Sequence, residues 1–404
     1  MKNSIRSFKS PDGERFSVLV DEQGMPLYYP TLFATWTLRA RSVAANTITN
    51  ALNALKALFA WEAHLGFDLE SAFGQGTFLD ENQVRDLTDF LQRSLINKKS
   101  NDLVSFNRRP KVVSPSVHYY RLSVAANYVE FLARQVSPSS ADVRQIERMA
   151  NMIKANRPAR SSKSVPDRDE IHLSVAVIET LEEALKPGSP NNPAKEYGVQ
   201  LRNALMFLIL RLTGIRRGEL LNLRIEDIDF GINTLTISRR PDAKGDTRKF
   251  QPVVKARPRA IRIEPALVAR IQEYVLNQRS KLPRAKKHGY LFVTHKSGPS
   301  EGAPLSITAF QKWMREISSL VGDAGFHAHA LRHNWNYEFS RRADARKMGH
   351  EEEAKIRSYF MGWSPTSGTA NTYNRRHIKE KAQEISLELQ RGYMNKPNRA
   401  VRDE

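Results

Sequence analysis

HAHALRHNW, residues 327–335, and YFMGWSPTSGTANTYNRR, residues 359–376, bound the stretch around which the rest of the chain is organised. On helical spacing His329, Arg332 and His333 fall at i, i+3 and i+4, so one helix face carries a permanent cation beside two titratable rings. Downstream, Trp363 and Tyr373 flank a run of Ser, Thr, Gly and Pro, the composition of a turn-rich loop that can carry a reactive side chain.

The residue types point to phosphate chemistry. A guanidinium fork matches two phosphate oxygens at once. An imidazole beside it can hold or supply a proton near neutral pH. A tyrosine can act as a covalent nucleophile, although a phenol with a reference pKa of about 10 needs help to ionise. Together they describe phosphoryl transfer through a phosphotyrosine. The blander reading is an ordinary LRH triplet, which many helices contain. Metal binding is disfavoured: His329 and His333 have the spacing of a zinc helix, but Ala330 stands where a zinc protease needs its glutamate, and there is no cysteine to complete a structural site. No cofactor is expected.

At 404 residues the chain is long enough for two domains, and its 40% hydrophobic and 26% charged residues are those of a soluble globular protein. The N-terminal MKNSIRSFKSPDGERF lacks the apolar core of a signal peptide, and the run Ala204–Leu210 is too short to span a bilayer. With no cysteine, disulfides and thiol chemistry are excluded, which fits a reducing cytosol. A net charge of +20 directs the chain to a polyanion, in a cytosol nucleic acid before a membrane surface. The expected location is therefore cytoplasmic and nucleoid-associated.

Residues 1–30 read as an arm or small hairpin, FSVLV turning at DEQG into PLYYP. Helical periodicity follows, with Ile48, Leu52, Leu55 and Phe59 on one face, then a helix over Asp80–Leu95 capped by Asp80. The basic, proline-broken NKKSNDLVSFNRRPKVVSPS reads as a loop, and the next helix begins with His118, Tyr119 and Arg121, a basic and aromatic start suited to a major groove or to an ordinary surface. The helical domain spans 31–155, and its candidate DNA contacts are Arg39, Arg41, Lys98, Lys99, Arg108, Arg109, His118, Tyr119 and Arg121. Residues 156–168, rich in Pro, Ser and Arg, read as a linker suited to a clamp around a duplex.

The second domain, 169–395 before a tail at 396–404, opens with helices around Ser174–Leu185 and Tyr197–Leu212, the latter apolar nearly all round and therefore buried. Thr213 and Gly214 stop it, so Arg216 falls at the N-terminus of the next helix, where backbone N–H groups favour an anion, with Glu219 one turn on. Short strands are predicted at Thr234–Ser238 and Ala260–Ile263. From Ser238 to Arg262 there are nine Lys/Arg against two acids, which points to the DNA backbone, with Arg239, Arg240, Lys244, Arg248 and Lys249 as contacts, or to a solvated hairpin. Ile378, Ala382, Ile385 and Leu389 then define an amphipathic terminal helix.

TGIRRGELLNLRIEDID (213–229), VVKARPRAIRI (253–263), HALRHNW (329–335) and MGWSPTSGTANTY (361–373), in this order, resemble the tyrosine recombinases, also called the phage-integrase family. The resemblance covers most of residues 170–390 and extends loosely to the helical part before it. It implies a mainly α fold with a small antiparallel β-sheet, in two domains: a helical core-binding domain and a mixed α+β catalytic domain. It implies site-specific recombination of double-stranded DNA through a 3′-phosphotyrosine, by the integrase or transposase of a mobile element, with a homotetramer on two DNA sites that exchanges C-terminal helices.

By the same resemblance Arg216 and Arg332 would grip the scissile phosphate, Lys255 would protonate the leaving 5′ oxygen and His329 would assist proton transfer. His333 would fill the second histidine position, Glu219 would support Arg216, Trp363 would donate its indole N–H and Tyr373 would be the nucleophile. Two departures stand out: the interval from Trp363 to Tyr373 is one residue longer than usual, and Lys244 or Lys249 remain alternatives to Lys255. Tyr359 is a rival nucleophile, disfavoured because it precedes MGW. A type IB topoisomerase shares the chemistry, and a DNA-binding regulator with a degenerate site is the reading from another class.

Overall fold

A computed structural model describes residues 3–41, 45–95, 112–159, 173–322, 326–364 and 381–391. It is mostly helical with two small antiparallel sheets, and it divides into two compact units, Met1–Val165 and Pro166–Glu404.

In the first unit, β1 (Ser4–Lys9) pairs antiparallel with β2 (Arg15–Val20). The hairpin thus closes one turn earlier than FSVLV–DEQG–PLYYP implies. Beyond Val20 only an isolated bridge to Pro26 forms, and Tyr28 already opens α1 (Tyr28–Leu32). The core is built on α2 (Ala45–Leu65), whose Ile48, Leu52 and Leu55 are buried with Phe59 packed beside them. Burying each such side chain contributes roughly 1.5–3 kcal/mol. Opposite lies α5 (Pro115–Val136), with Leu122, Ala125, Val129 and Leu132 inward, its start fixed by Pro115 in the first turn and the Ser114 cap. The layer is completed by α3 (Leu69–Gly74), α4 (Glu81–Gln92) and α6 (Val143–Ala155). Asp80 and Gln83 form a reciprocal capping box that sets where α4 begins.

The second unit is centred on α8 (Tyr197–Thr213), buried on nearly every side, with α7 (Val175–Leu185) and α10 (Pro265–Asn277) in the same core. Gly214, at φ +61, ends α8 in the left-handed conformation, and α9 (Arg217–Asn222) starts three residues later. A three-stranded sheet follows, β3 (Ile228–Asp229), β4 (Thr234–Ile237) and β5 (Arg259–Arg262), in that order. The chain between β4 and β5 is the cation-rich segment. Then come α11 (Ile307–Leu320), α12 (Ala328–Ala345) and α13 (His350–Met361), which Gly362 ends at φ +65. Residues 381–391 are helical, and Ile385, Leu387 and Leu389 are exposed. No helix among the described residues is long and apolar enough to cross a membrane.

Candidate active site

The ends of α8 and α13 meet the first half of α12 because a glycine lets them. A side chain at Gly214 would meet the Trp335 ring of α12 at 2.9 Å and the Met361 methyl of α13 at 3.1 Å, so α8, α12 and α13 close together only around a bare Cα. Gly218 does the same in the first turn of α9: a Cβ there would lie 2.4 Å from the Val253 carbonyl oxygen. The start of α9 is thereby pressed against the segment that leads to Lys255.

Arg216 is the N-cap of α9. Its backbone N–H donates to Glu219 Oε2 at 2.9 Å and its Nη1 to Glu219 Oε1 at 3.2 Å. The same Nη1 donates to the Met361 carbonyl at 3.4 Å, and the side chain keeps 30% of its surface open to solvent. Arg332, on α12, is 1% exposed. It donates from Nη1 to the Gly214 carbonyl at 2.7 Å and from Nη2 to the same Met361 carbonyl at 3.3 Å. Two guanidiniums that lie 145 and 29 residues from Met361 thus meet on one oxygen. The Arg332 guanidinium also lies 5.5 Å from the centre of the buried Trp363 ring.

His329 stands on the same turn of α12. Burial, then the neighbouring His333, Arg332, His327 and Arg216, oppose its charged form and lower its pKa to about 4, so the ring is neutral at neutral pH. The His333 ring meets it edge-on at 4.7 Å. His327 caps α12, its Nδ1 accepting from the Ala330 N–H at 3.0 Å. Lys255 is exposed between buried Val254 and Ala256, and the next residue, Arg257, donates its N–H to the Gly362 carbonyl at 3.0 Å. The Lys255 segment and the Met361–Trp363 turn are therefore fastened together. Tyr373 lies outside the described residues. Tyr359 is 58% exposed and its hydroxyl donates to the Ala260 carbonyl at 3.3 Å, on the edge of β5.

Arg259 was not singled out by sequence. Its side chain is 1% exposed, its Nη2 donates to Glu219 Oε2 at 2.9 Å and its Nη1 to Oε1 at 3.3 Å, while its Nε donates to the Phe360 carbonyl. Burial pushes the Glu219 carboxyl up, but the bonds and charge of Arg259, then of Arg216, outweigh it and leave the group below the ordinary carboxylate value. A signal existed: with Ile261 inward, strand alternation turns Arg259 inward as well.

Several proposed DNA contacts are instead parts of the fold. His118 is buried, its Nε2 3.0 Å from the Thr88 carbonyl, and Arg121 donates to the carbonyls of Leu91 and Arg93 at 2.9 and 2.8 Å. Arg121 satisfies the Leu91 carbonyl, which the end of α4 leaves without a helical partner, and the C-cap carbonyl of Arg93, while His118 adds a bond to the Thr88 carbonyl one turn further in, so the basic start of α5 clasps α4. Tyr119 lies under the Arg157 guanidinium at 4.8 Å. Arg248 is buried, paired with Asp246 at 2.7 Å and donating to the Leu221 and Leu305 carbonyls at 2.8 and 3.1 Å. Arg240 is drawn to Asp227, and Arg39 to Glu14. Arg239, Lys244 and Lys249 are exposed. Lys98, Lys99, Arg108, Arg109 and the side chain of Arg41 lie outside the described residues, as does most of the linker. No cluster of His, Asp or Glu among the described residues is arranged to hold a metal ion.

Residues 178–377 match the model of the phage integrase family, so the chain carries a domain of that family. It is similar to the tyrosine recombinase XerD of Halalkalibacterium halodurans, 28% identical over 146 residues, which are 36% of this chain and 42% of the relative. It is also similar to the tyrosine recombinase XerC of the same organism, 24% identical over 295 residues, 69% of this chain and 84% of the relative. The match thus spans less than half of the XerD relative's length. Among solved structures it is similar to XerA recombinase, with 15% identity over 88% of this chain and 97% of that one at a TM-score of 0.37. It is similar too to XerH site-specific recombinase bound to palindromic difH substrate, with 16% identity over 77% and 79% at a TM-score of 0.42.

Proposed function

We infer that this protein is a site-specific DNA recombinase that cuts and rejoins strands through a covalent 3′-phosphotyrosine. The observation that carries the reading is the meeting of Arg216 and Arg332 on the Met361 carbonyl, which sets two cations side by side at one point. A scissile phosphate would replace that oxygen as their acceptor. The Tyr373 oxygen attacks phosphorus, the phenolic proton passes toward the neutral ring of His329, the bond from phosphorus to the 5′ oxygen breaks, and Lys255 protonates that oxygen. Negative charge that develops on the non-bridging oxygens is opposed by both guanidiniums, and Trp363 and His333 complete the phosphate site. A 5′ hydroxyl from a second duplex reverses the step on a new partner, because the phosphotyrosine keeps the bond energy.

Double-stranded DNA with a recombination site is the substrate, and solved relatives described as complexes with difH or with transposon circular-intermediate DNA support that choice. The helical unit serves as the core-binding domain, and Arg239, Lys244 and Lys249 serve as contacts to the DNA backbone. The exposed Ile385, Leu387 and Leu389 of residues 381–391 support a helix passed to a neighbouring protomer in a tetramer, acting in the cytoplasm at the nucleoid.

The test is a nicked suicide duplex from the DNA flanking the gene. The unsubstituted protein is expected to form a denaturation-resistant adduct, and Tyr373→Phe to form none while binding the duplex equally well. An adduct that persists in Tyr373→Phe moves the nucleophile elsewhere. Supercoil relaxation with no strand exchange favours a topoisomerase, and no adduct favours a DNA-binding regulator.

A further inference from the structure

Glu219 accepts four hydrogen bonds, two from Arg216 and two from Arg259. The two arginines are not equivalent. Arg216 is open to solvent and shares the Met361 carbonyl with Arg332, whereas Arg259 is enclosed and touches only protein groups: Glu219, the Phe360 carbonyl and the Arg257 carbonyl. Gly362 makes room for it, since a Cβ at that position would lie 2.8 Å from Arg259 Nη1.

We propose that Arg259 is a positioning residue for strand cleavage: by neutralising the buried Glu219 carboxylate it leaves the charge of Arg216 uncompensated and turned toward the phosphate. The inference rests on the recombinase reading. A carboxylate paired with Arg216 alone would form a neutral pair, hold the fork inward and compete with the phosphate for it. With Arg259 present, Glu219 orients Arg216 through its backbone and one Nη, and its own charge is already balanced. Arg259 also fastens β5 to the Phe360–Gly362 turn, so the Lys255 segment and the carbonyl on which the two arginines meet share one strut.

Adduct formation on the suicide duplex separates this charge role from packing alone. Arg259→Met is expected to slow the adduct by about a hundredfold at pH 8, the scale of losing one preorganised donor, with duplex affinity within about threefold. Without its counter-ion Glu219 protonates more readily, so the ratio of variant to unsubstituted rate should rise as the pH is lowered toward 6. Where Glu219 is already neutral the cation has nothing to balance, so E219Q/R259M should match E219Q within about threefold. That pair carries the test even if Arg259→Met does not fold, because the double variant strands neither charge of the pair, and in E219Q the Arg259 guanidinium keeps the Phe360 and Arg257 carbonyls as acceptors. A loss that is flat with pH, a double variant slower than E219Q by the full factor, or an Arg259→Met as fast as the unsubstituted protein overturns the proposal. An unsubstituted protein that forms no adduct removes the recombinase reading itself, a different result from any of these.

Discussion

In the first unit, buried and half-buried polar groups tie helices together: His118 and Arg121 take carbonyls in and just past the last turns of α4, and the Trp61 indole of α2 donates to Asp86 of α4 at 2.7 Å. In the second unit several whole charges are buried, where the first unit buries Arg15. Glu219 with Arg259, Asp246 with Arg248, Glu353 with Arg357, and Arg332 on two carbonyls are all shut from solvent or nearly so. Helix ends demand hydrogen bonds wherever they lie, so the first pattern needs nothing beyond folding. Burying charge is costly and is often matched or bettered by apolar packing, so the second pattern signals a field maintained for a purpose.

The sharpest way to break the comparison is Arg332→Lys. A point charge cannot reach both the Gly214 and Met361 carbonyls as the fork does, so adduct formation should fall by about a hundred- to a thousandfold with duplex binding retained. A smaller loss would make Arg332 a structural residue like Arg121. Next is Arg357→Met, which leaves Glu353 buried without its partner, a change expected to cost about 3–5 kcal/mol in the denaturant unfolding of the second unit. A cost below about 1 kcal/mol would show that this pair stores no tension.

In the first unit Arg121→Gln should cost about 1 kcal/mol and leave the slope of duplex affinity against salt unchanged, because that arginine is taken up by helix carbonyls. A slope reduced by about one would return Arg121 to the DNA contacts.

The two units should also diverge in their response to pH. Burial, and to a lesser extent Asp68 and Glu70, push the Glu62 carboxyl up to about 7 despite the hydrogen bond it accepts from the Leu69 N–H. The folded first unit then holds a proton that the unfolded chain has lost from its ordinary value of 4.5 upward, so stability falls as pH rises through that window. His329 does the reverse. The unfolded chain takes up a proton near 6.5 and the folded one only near 4, so the second unit loses stability as pH falls between them. Hydrogen exchange of α2 and α12 amides at pH 5 and 7, corrected for intrinsic rates, should shift in opposite directions, and Glu62→Gln should flatten α2 alone. Parallel shifts would show that these two groups do not govern their units.

Much of the frame was legible because it is local. Periodicity placed α2 and α8, Asp80 marked the start of α4, and the Thr213–Gly214 stop put Arg216 at a helix N-terminus with Glu219 one turn away. The direction of basic residues was not legible. From Ser238 to Arg262 the run reads as one charged surface, yet Arg248 and Arg259 are interior while Lys249 and Lys255 face out. A cation-rich string specifies that charge must be balanced and leaves open whether a buried carboxylate or a ligand does it.

By itself the sequence determined which reactive groups the chain carries and in what order, a fork, a lysine, an imidazole and a phenol. Only tertiary structure decided that Arg216 and Arg332 share the Met361 carbonyl, that His329 is neutral, and that Arg259 balances Glu219. Those depend on distances between residues far apart in the chain and on the water excluded around them, and neither quantity is written in any local pattern.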